Sequence, residues 1–158
     1  HPDLDPVWDL LEASDSAALS HLGADVEFLT TAKWRDAPAF VGWKAGEEFQ
    51  MDPWTLSTLH LPVQNFLATM VLGGVFERFP RLRFGICEVL GQWVGPLAQN
   101  LDFWHAHSRK FSLGNMEGAL PIRLQPSEYI RRNVRVSLFS WNQLYTEFSV
   151  RIEFGPSL

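Results

Sequence analysis

Two residues at the ends of short apolar runs carry most of the chemistry this sequence offers. His21 comes at the end of Ala17-Ala18-Leu19-Ser20-His21-Leu22, just before Gly23, and Glu88 closes Leu82-Arg83-Phe84-Gly85-Ile86-Cys87-Glu88. A neutral imidazole binds a divalent metal through one ring nitrogen while a neighbouring acceptor orients the other. A carboxylate ending an otherwise apolar strand face is costly to bury alone, so it must meet a metal, a cation or solvent. There it can bind metal, act as a general acid or base, or hold a histidine in its working tautomer. The plainer readings are a buried histidine bonded to backbone and a solvated strand end.

Other chemistry-bearing residues are worse placed. His105 and His107 spell His-Ala-His, but they fall in a helical stripe, where residues two apart point roughly 200° apart around the axis and cannot chelate one ion. His1 and His60 sit in loops without partner spacing, and Cys87 should face away from Glu88 if strand alternation holds. The chain has no phosphate-binding glycine loop, no cysteine pair and no Gly-x-Ser-x-Gly elbow.

The elements that must position His21 and Glu88 alternate. Asp5-Pro6 opens a helix over residues 6–14, with Asp5 able to cap it, and residues 17–22 read as a strand buried on both faces. Residues 24–61 carry Pro38, Gly42, Gly46 and Pro53 among aromatic residues without sustained periodicity, which predicts an elaborated loop over a site, with a short helix near 46–50. Val63, Phe66, Leu67, Met70, Val71, Val75 and Phe76 recur at helical spacing across residues 62–79, interrupted only by Gly73-Gly74, a pair that predicts close packing. The strand at 82–88 should put Leu82, Phe84, Ile86 and Glu88 on one face. A helix follows from Trp93 to about Lys110 on a stripe of Trp93, Val94, Leu97, Leu101 and Trp104, then a short helix at 126–133 and a strand at 134–138. Strands alternating with helices predict a parallel sheet, open or closed into a barrel.

Composition narrows the class. The 158 residues are enough for one domain with a real core, and 46% apolar with 20% charged residues is a globular balance. A net charge of −5 without a basic block argues against nucleic acid, and no apolar run approaches the ~20 residues of a membrane span. The single cysteine argues for a cytoplasmic setting over a disulfide scaffold, and His1 in place of a methionine suggests a cut or processed start. Seven Trp and twelve Phe suit either a barrel–helix interface or an apolar pocket.

Several stretches together resemble the amidohydrolase-related family (amidohydrolase family 2), which includes aminocarboxymuconate-semialdehyde and resorcylate-type decarboxylases. They are His1-Pro2-Asp3 through Trp8, Ser20-His21-Leu22-Gly23, Gly74-Val75-Phe76-Glu77-Arg78-Phe79-Pro80-Arg81-Leu82, Glu88 with Trp93, Leu101-Asp102, and Pro126-Ser127-Glu128-Tyr129-Ile130. The resemblance covers residues 1–138 of a single barrel segment spanning 1–158, with a divergent tail at 139–158. It implies a central-to-C-terminal part of a distorted (β/α)8 barrel, hence α/β with parallel strands. It further implies hydrolysis or non-oxidative decarboxylation of a small carboxylate with a divalent metal, usually zinc. His21 would be a metal ligand, and Glu88 would stand where many members place a catalytic histidine and some a glutamate. Trp34, Phe40, Trp43 and Trp54 would wall the substrate pocket. The family's His-x-His or Glu-x-His pair and its late Asp-bearing strand have no counterpart here. The alternative expectation is an inactive truncated paralogue that oligomerises or binds a ligand, because an open segment exposes strand edges that favour homo-oligomers.

Overall fold

The computed structural model describes residues 2–21, 38, 57–111 and 120–137. A short 3-10 helix, Pro2–Leu4, leads into α1, Asp5–Ala13, with Pro6 in the first turn, where its missing N–H costs nothing. Asp5 does not cap this helix. Its carboxylate instead takes two bonds from the Arg78 guanidinium, at 2.8 and 3.0 Å, tying the start of the chain to the approach to the second strand.

The expected helix over 62–79 is two helices, α2 (Leu61–Leu72) and α3 (Val75–Arg78). The break has a steric reason. Gly74 sits at φ 71°, and a Cβ there would lie 2.6 Å from the Pro121 carbonyl oxygen, so only glycine lets the two segments approach. The long helix α4 runs Val94–Phe111 and the short α5 Pro126–Asn133. Ser127 N–H, at the start of α5, donates to Asp102 of α4 at 2.8 Å, and the Glu128 carboxylate accepts from Gln125 N–H at 2.9 Å. Both acids satisfy amide donors that a helix start leaves without intrahelical partners.

The three strands are β1 (Ala17–His21), β2 (Arg83–Cys87) and β3 (Val134–Val136), parallel and in sequence order. Ala18, Phe84 and Val134 are in register, as are Ser20, Ile86 and Val136. This row faces the helices: Phe84, Ile86 and Val134 are buried in one core with Leu67, Phe76, Leu101 and Tyr129. The other row brings Leu19, Gly85 and Arg135 into register. Here the expectation of a strand covered on both faces fails, since Leu19 is 70% exposed. A Cβ on Gly85 would fall 2.3 Å from Leu19 Cδ2, so the leucine uses the space that glycine leaves. Trp104, expected on the buried stripe of α4, is also half exposed.

The architecture of the described residues is therefore a partial (β/α)8 segment: parallel strands in order, helices on one face, and Leu19 exposed on the other. Among the described residues no helix is long and apolar enough to cross a membrane. The helix expected near 46–50, the aromatic residues Trp34, Phe40, Trp43 and Trp54, and the tail at 139–158 lie outside the described residues.

Candidate functional site

The carboxyl ends of three parallel strands form one rim, and in closed parallel barrels that rim is where side chains from separate strands converge. His21 is the last residue of β1 and pairs in register with Cys87, the last residue of β2. Glu88 lies one residue beyond. Strand alternation would carry its side chain to the buried side with Ile86, but Glu88 has left the strand, with φ at 63°. Its carboxylate Oε2 lies 3.2 Å from His21 Nε2. The left-handed residue therefore corrects the expected strand end: Glu88 lies beyond β2 and off the face of Ile86, and it meets His21, whose sheet face by register is that of Cys87.

The turn beyond β2 is strained and heavily braced. Leu90 is also left-handed, at φ 60°, with the buried Val89 between. A left-handed residue other than glycine costs roughly 1–2 kcal/mol and persists only where its surroundings over-determine it. Here the Trp93 indole N–H is shared between the Val89 and Leu90 carbonyls, at 3.0 and 2.9 Å. Glu88 N–H donates to Ser137 Oγ at 3.3 Å, and Ser137 N–H donates to the Ile86 carbonyl at 2.8 Å. His60, immediately before α2, stacks on Trp93 with ring centroids 5.9 Å apart and planes 22° apart. Burial lowers the His60 pKa, which favours a neutral ring in that stack.

His21 and Glu88 are exposed enough to receive a ligand, at 62% and 47% of their side-chain surfaces. Two ligands of a tetrahedral ion with bonds of about 2.1 Å lie about 3.4 Å apart, so the 3.2 Å separation suits adjacent positions on one metal. Among the described residues, no group of three His, Cys, Asp or Glu side chains could hold an ion. The pair thus fits as part of a metal site and falls short of the three protein ligands of catalytic zinc. Without metal, the Glu88 carboxylate can accept a hydrogen bond from His21 Nε2–H and so fix the ring's tautomer.

Sequence reasoning placed His21 and Glu88 at strand ends where they could act together, and it missed Ser137, Trp93 and His60 as parts of the rim. Ser137 was findable, being a polar residue after a third strand. Trp93 carried a weaker signal: a buried indole N–H needs an acceptor, and the turn supplies the nearest carbonyls. His105 and His107 lie on α4, as expected, and His107 Nδ1 is 2.7 Å from the Phe103 carbonyl.

No family model matches the chain, and no curated protein matches it by sequence. Solved structures do. The chain is similar to 5-carboxyvanillate decarboxylase LigW from Sphingomonas paucimobilis, with TM-score 0.69 and 23% identity over 99% of this chain and 41% of that one. An amidohydrolase from Mycobacterium avium subsp. paratuberculosis K-10 superposes with TM-score 0.67 and 21% identity over 98% of this chain and 34% of that one. A dihydroxybenzoic acid decarboxylase from Polaromonas sp. JS666, with bound manganese and 2-nitroresorcinol, superposes with TM-score 0.62 and 15% identity over 95% of this chain and 39% of that one. The chain spans well under half the length of each, and what it shares with them is the fold: a partial (β/α)8 barrel of the kind found in amidohydrolase-type decarboxylases, the family its sequence resembles.

Proposed function

We propose that this chain is a segment of a metal-dependent, amidohydrolase-related enzyme that hydrolyses or non-oxidatively decarboxylates a small carboxylate. The observation carrying this reading is the convergence of His21 and Glu88 at 3.2 Å on the carboxyl-end rim. The manganese and the inhibitor 2-nitroresorcinol bound to the Polaromonas decarboxylase, which shares this fold, support a divalent ion and a small aromatic ligand. In this reading His21 is a metal ligand, and Glu88 takes and returns a proton at its carboxylate or shares the ion. Trp34, Phe40, Trp43 and Trp54 wall the pocket, and further metal ligands come from beyond the described residues. A divalent ion there supplies Lewis acidity toward a carboxylate oxygen. The setting proposed is cytoplasmic.

The test is metal retention by this chain. After incubation with Mn²⁺ or Zn²⁺ and desalting, the wild-type chain should hold about one ion and bind it at least tenfold more tightly than His21→Ala. Equal binding by the two overturns the reading.

The open sheet face, where Leu19 is 70% exposed, favours a second reading: a non-catalytic chain that self-associates or binds a ligand. Size-exclusion chromatography with metal analysis separates the two. A metal-free oligomer supports the second, and a monomer with stoichiometric metal removes it.

A further inference from the structure

The turn that presents Glu88 needs a cause, because neither Glu88 nor Leu90 favours its own backbone conformation. Val89 is 1% exposed and anchors the middle of the turn in the core, which leaves the flanking peptides to be fixed from outside. Two of the three non-glycine residues with left-handed φ among the described residues fall here, at 63° and 60°. One donor braces the peptides on both sides of Leu90, the first of which begins at Val89, the residue after Glu88. Trp93 Nε1–H lies 3.0 Å from the Val89 carbonyl and 2.9 Å from the Leu90 carbonyl. The indole is 5% exposed and is covered by the stacked ring of His60, so its position is set from α2 as well as from α4.

We infer that Trp93 is a positioning residue for Glu88: its shared indole N–H holds the left-handed turn that brings the Glu88 carboxylate onto His21. Without that donor, two partly buried carbonyls lose their partner and the turn can relax toward an extended path. An extended Glu88 follows strand alternation to the face of Ile86, away from His21. Ser137 braces the same turn through a single, longer bond to Glu88 N–H, so it is the weaker support. The inference gives the proposed site a specific support and rests on that proposal for its importance to function, but its geometry is independent of any metal.

The test reads the His21–Glu88 contact directly, in metal-free protein. In a chain labelled with ¹⁵N-histidine, His21→Ala identifies the His21 ring nitrogens among the five histidines. Glu88→Gln then defines how far they shift when the carboxylate is lost. Trp93→Phe keeps an aromatic ring for the His60 stack and removes the N–H. It should move the His21 nitrogens at least halfway to the Glu88→Gln position and cause no further change in the Glu88→Gln background. If His21 stays at its wild-type position in Trp93→Phe, or shifts equally with and without the Glu88 carboxylate, the inference is overturned. Should Trp93→Phe fail to fold, benzothienylalanine at position 93 keeps the bicyclic ring, lacks the donor and is judged by the same shifts. Failure of metal retention leaves these spectra unaffected, so loss of the functional reading and loss of this inference are separately visible.

Discussion

The two ends of the sheet are built on opposite terms. At the carboxyl ends, His21 and Glu88 are largely exposed and meet over a turn with two left-handed residues. At the junctions leading into β2 and β3, polar groups are buried and satisfied. Asn133, 3% exposed, donates its amide to the Pro80 and Leu82 carbonyls at 3.1 and 2.7 Å, and its own Oδ1 accepts from Arg132 Nε at 2.9 Å. Arg132 also donates to the Phe76 carbonyl at 2.5 Å. Nearby, the Tyr129 hydroxyl donates to Glu77 and accepts from Arg123 and Leu124 N–H at 3.1 and 3.0 Å. One end stores strain and leaves side chains open to a ligand, while the other holds the segment together. In parallel barrels the carboxyl-end face carries function and the opposite face carries stability.

The sharpest way to break this contrast is to cut the buried end. Asn133→Ala leaves two carbonyls beside the start of β2 without their donor and opens a small cavity, and it should cost about 3 kcal/mol. Urea denaturation followed by circular dichroism measures it. A cost below about 1 kcal/mol would show that the junction is not what holds β2 to β3.

Tyr129→Phe should cost about 2 kcal/mol, because it takes the acceptor from Leu124 N–H and leaves Arg123 N–H only its longer bond of 3.4 Å to Glu77. The same cluster predicts a pH dependence. The Tyr129 and Arg123 hydrogen bonds hold the Glu77 pKa below its ordinary 4.5. A carboxylate depressed in the folded state contributes stability above its unfolded pKa and loses it as pH falls through the folded value. Stability should therefore decline on acidification from about pH 5, and Glu77→Gln should flatten that decline. Tyr129, raised by burial and then by its bond to Glu77, works in the opposite window. Its contribution is complete below pH 10 and is lost as pH rises through the folded value. An acid limb of equal slope in wild type and Glu77→Gln removes Glu77 from the stabilising end.

The rim predicts the reverse sign. Leu90→Gly relieves a left-handed residue other than glycine, so it should stabilise by about 1 kcal/mol, less the contacts of the lost side chain. Destabilisation of that size would mean that Leu90 acts through packing rather than strain.

How much of this was legible depended on whether periodicity or tertiary contact decided each feature. The alternation of helix and strand and α4 with its buried Val94, Leu97 and Leu101 follow from periodic patterns, whereas β1 was legible only as a short uncharged run at 17–22, which hid its one open face. The break at Gly73-Gly74 was marked by the glycines, but its reason, the Pro121 carbonyl, is 47 residues away from Gly74 in sequence and had no local signal. Glu88 was found by position and misplaced by geometry. Extending period-two alternation by one residue put it on the buried face, and only the left-handed turn moves it to His21. Asp5 reads as a helix cap until Arg78 competes for it. Asn133 gave no warning, since an asparagine at a helix end usually reads as a cap or turn residue.

The smallest stability effect belongs to the pair with the largest proposed role. An exposed polar contact of this kind contributes at most about 1 kcal/mol, and both side chains here remain open to solvent. His21→Ala and Glu88→Gln should each change stability by no more than about 0.5 kcal/mol in metal-free protein. With Mn²⁺ or Zn²⁺ present, the wild-type melting temperature should rise with metal concentration while that of His21→Ala stays flat, because a ligand stabilises only the folded state that binds it. Should His21→Ala destabilise the metal-free chain by 2 kcal/mol or more, the rim would be a second structural junction and the contrast between the two ends would collapse. If it is neutral without metal and unresponsive with it, the pair is free of any stabilising duty, as expected of residues kept for a ligand.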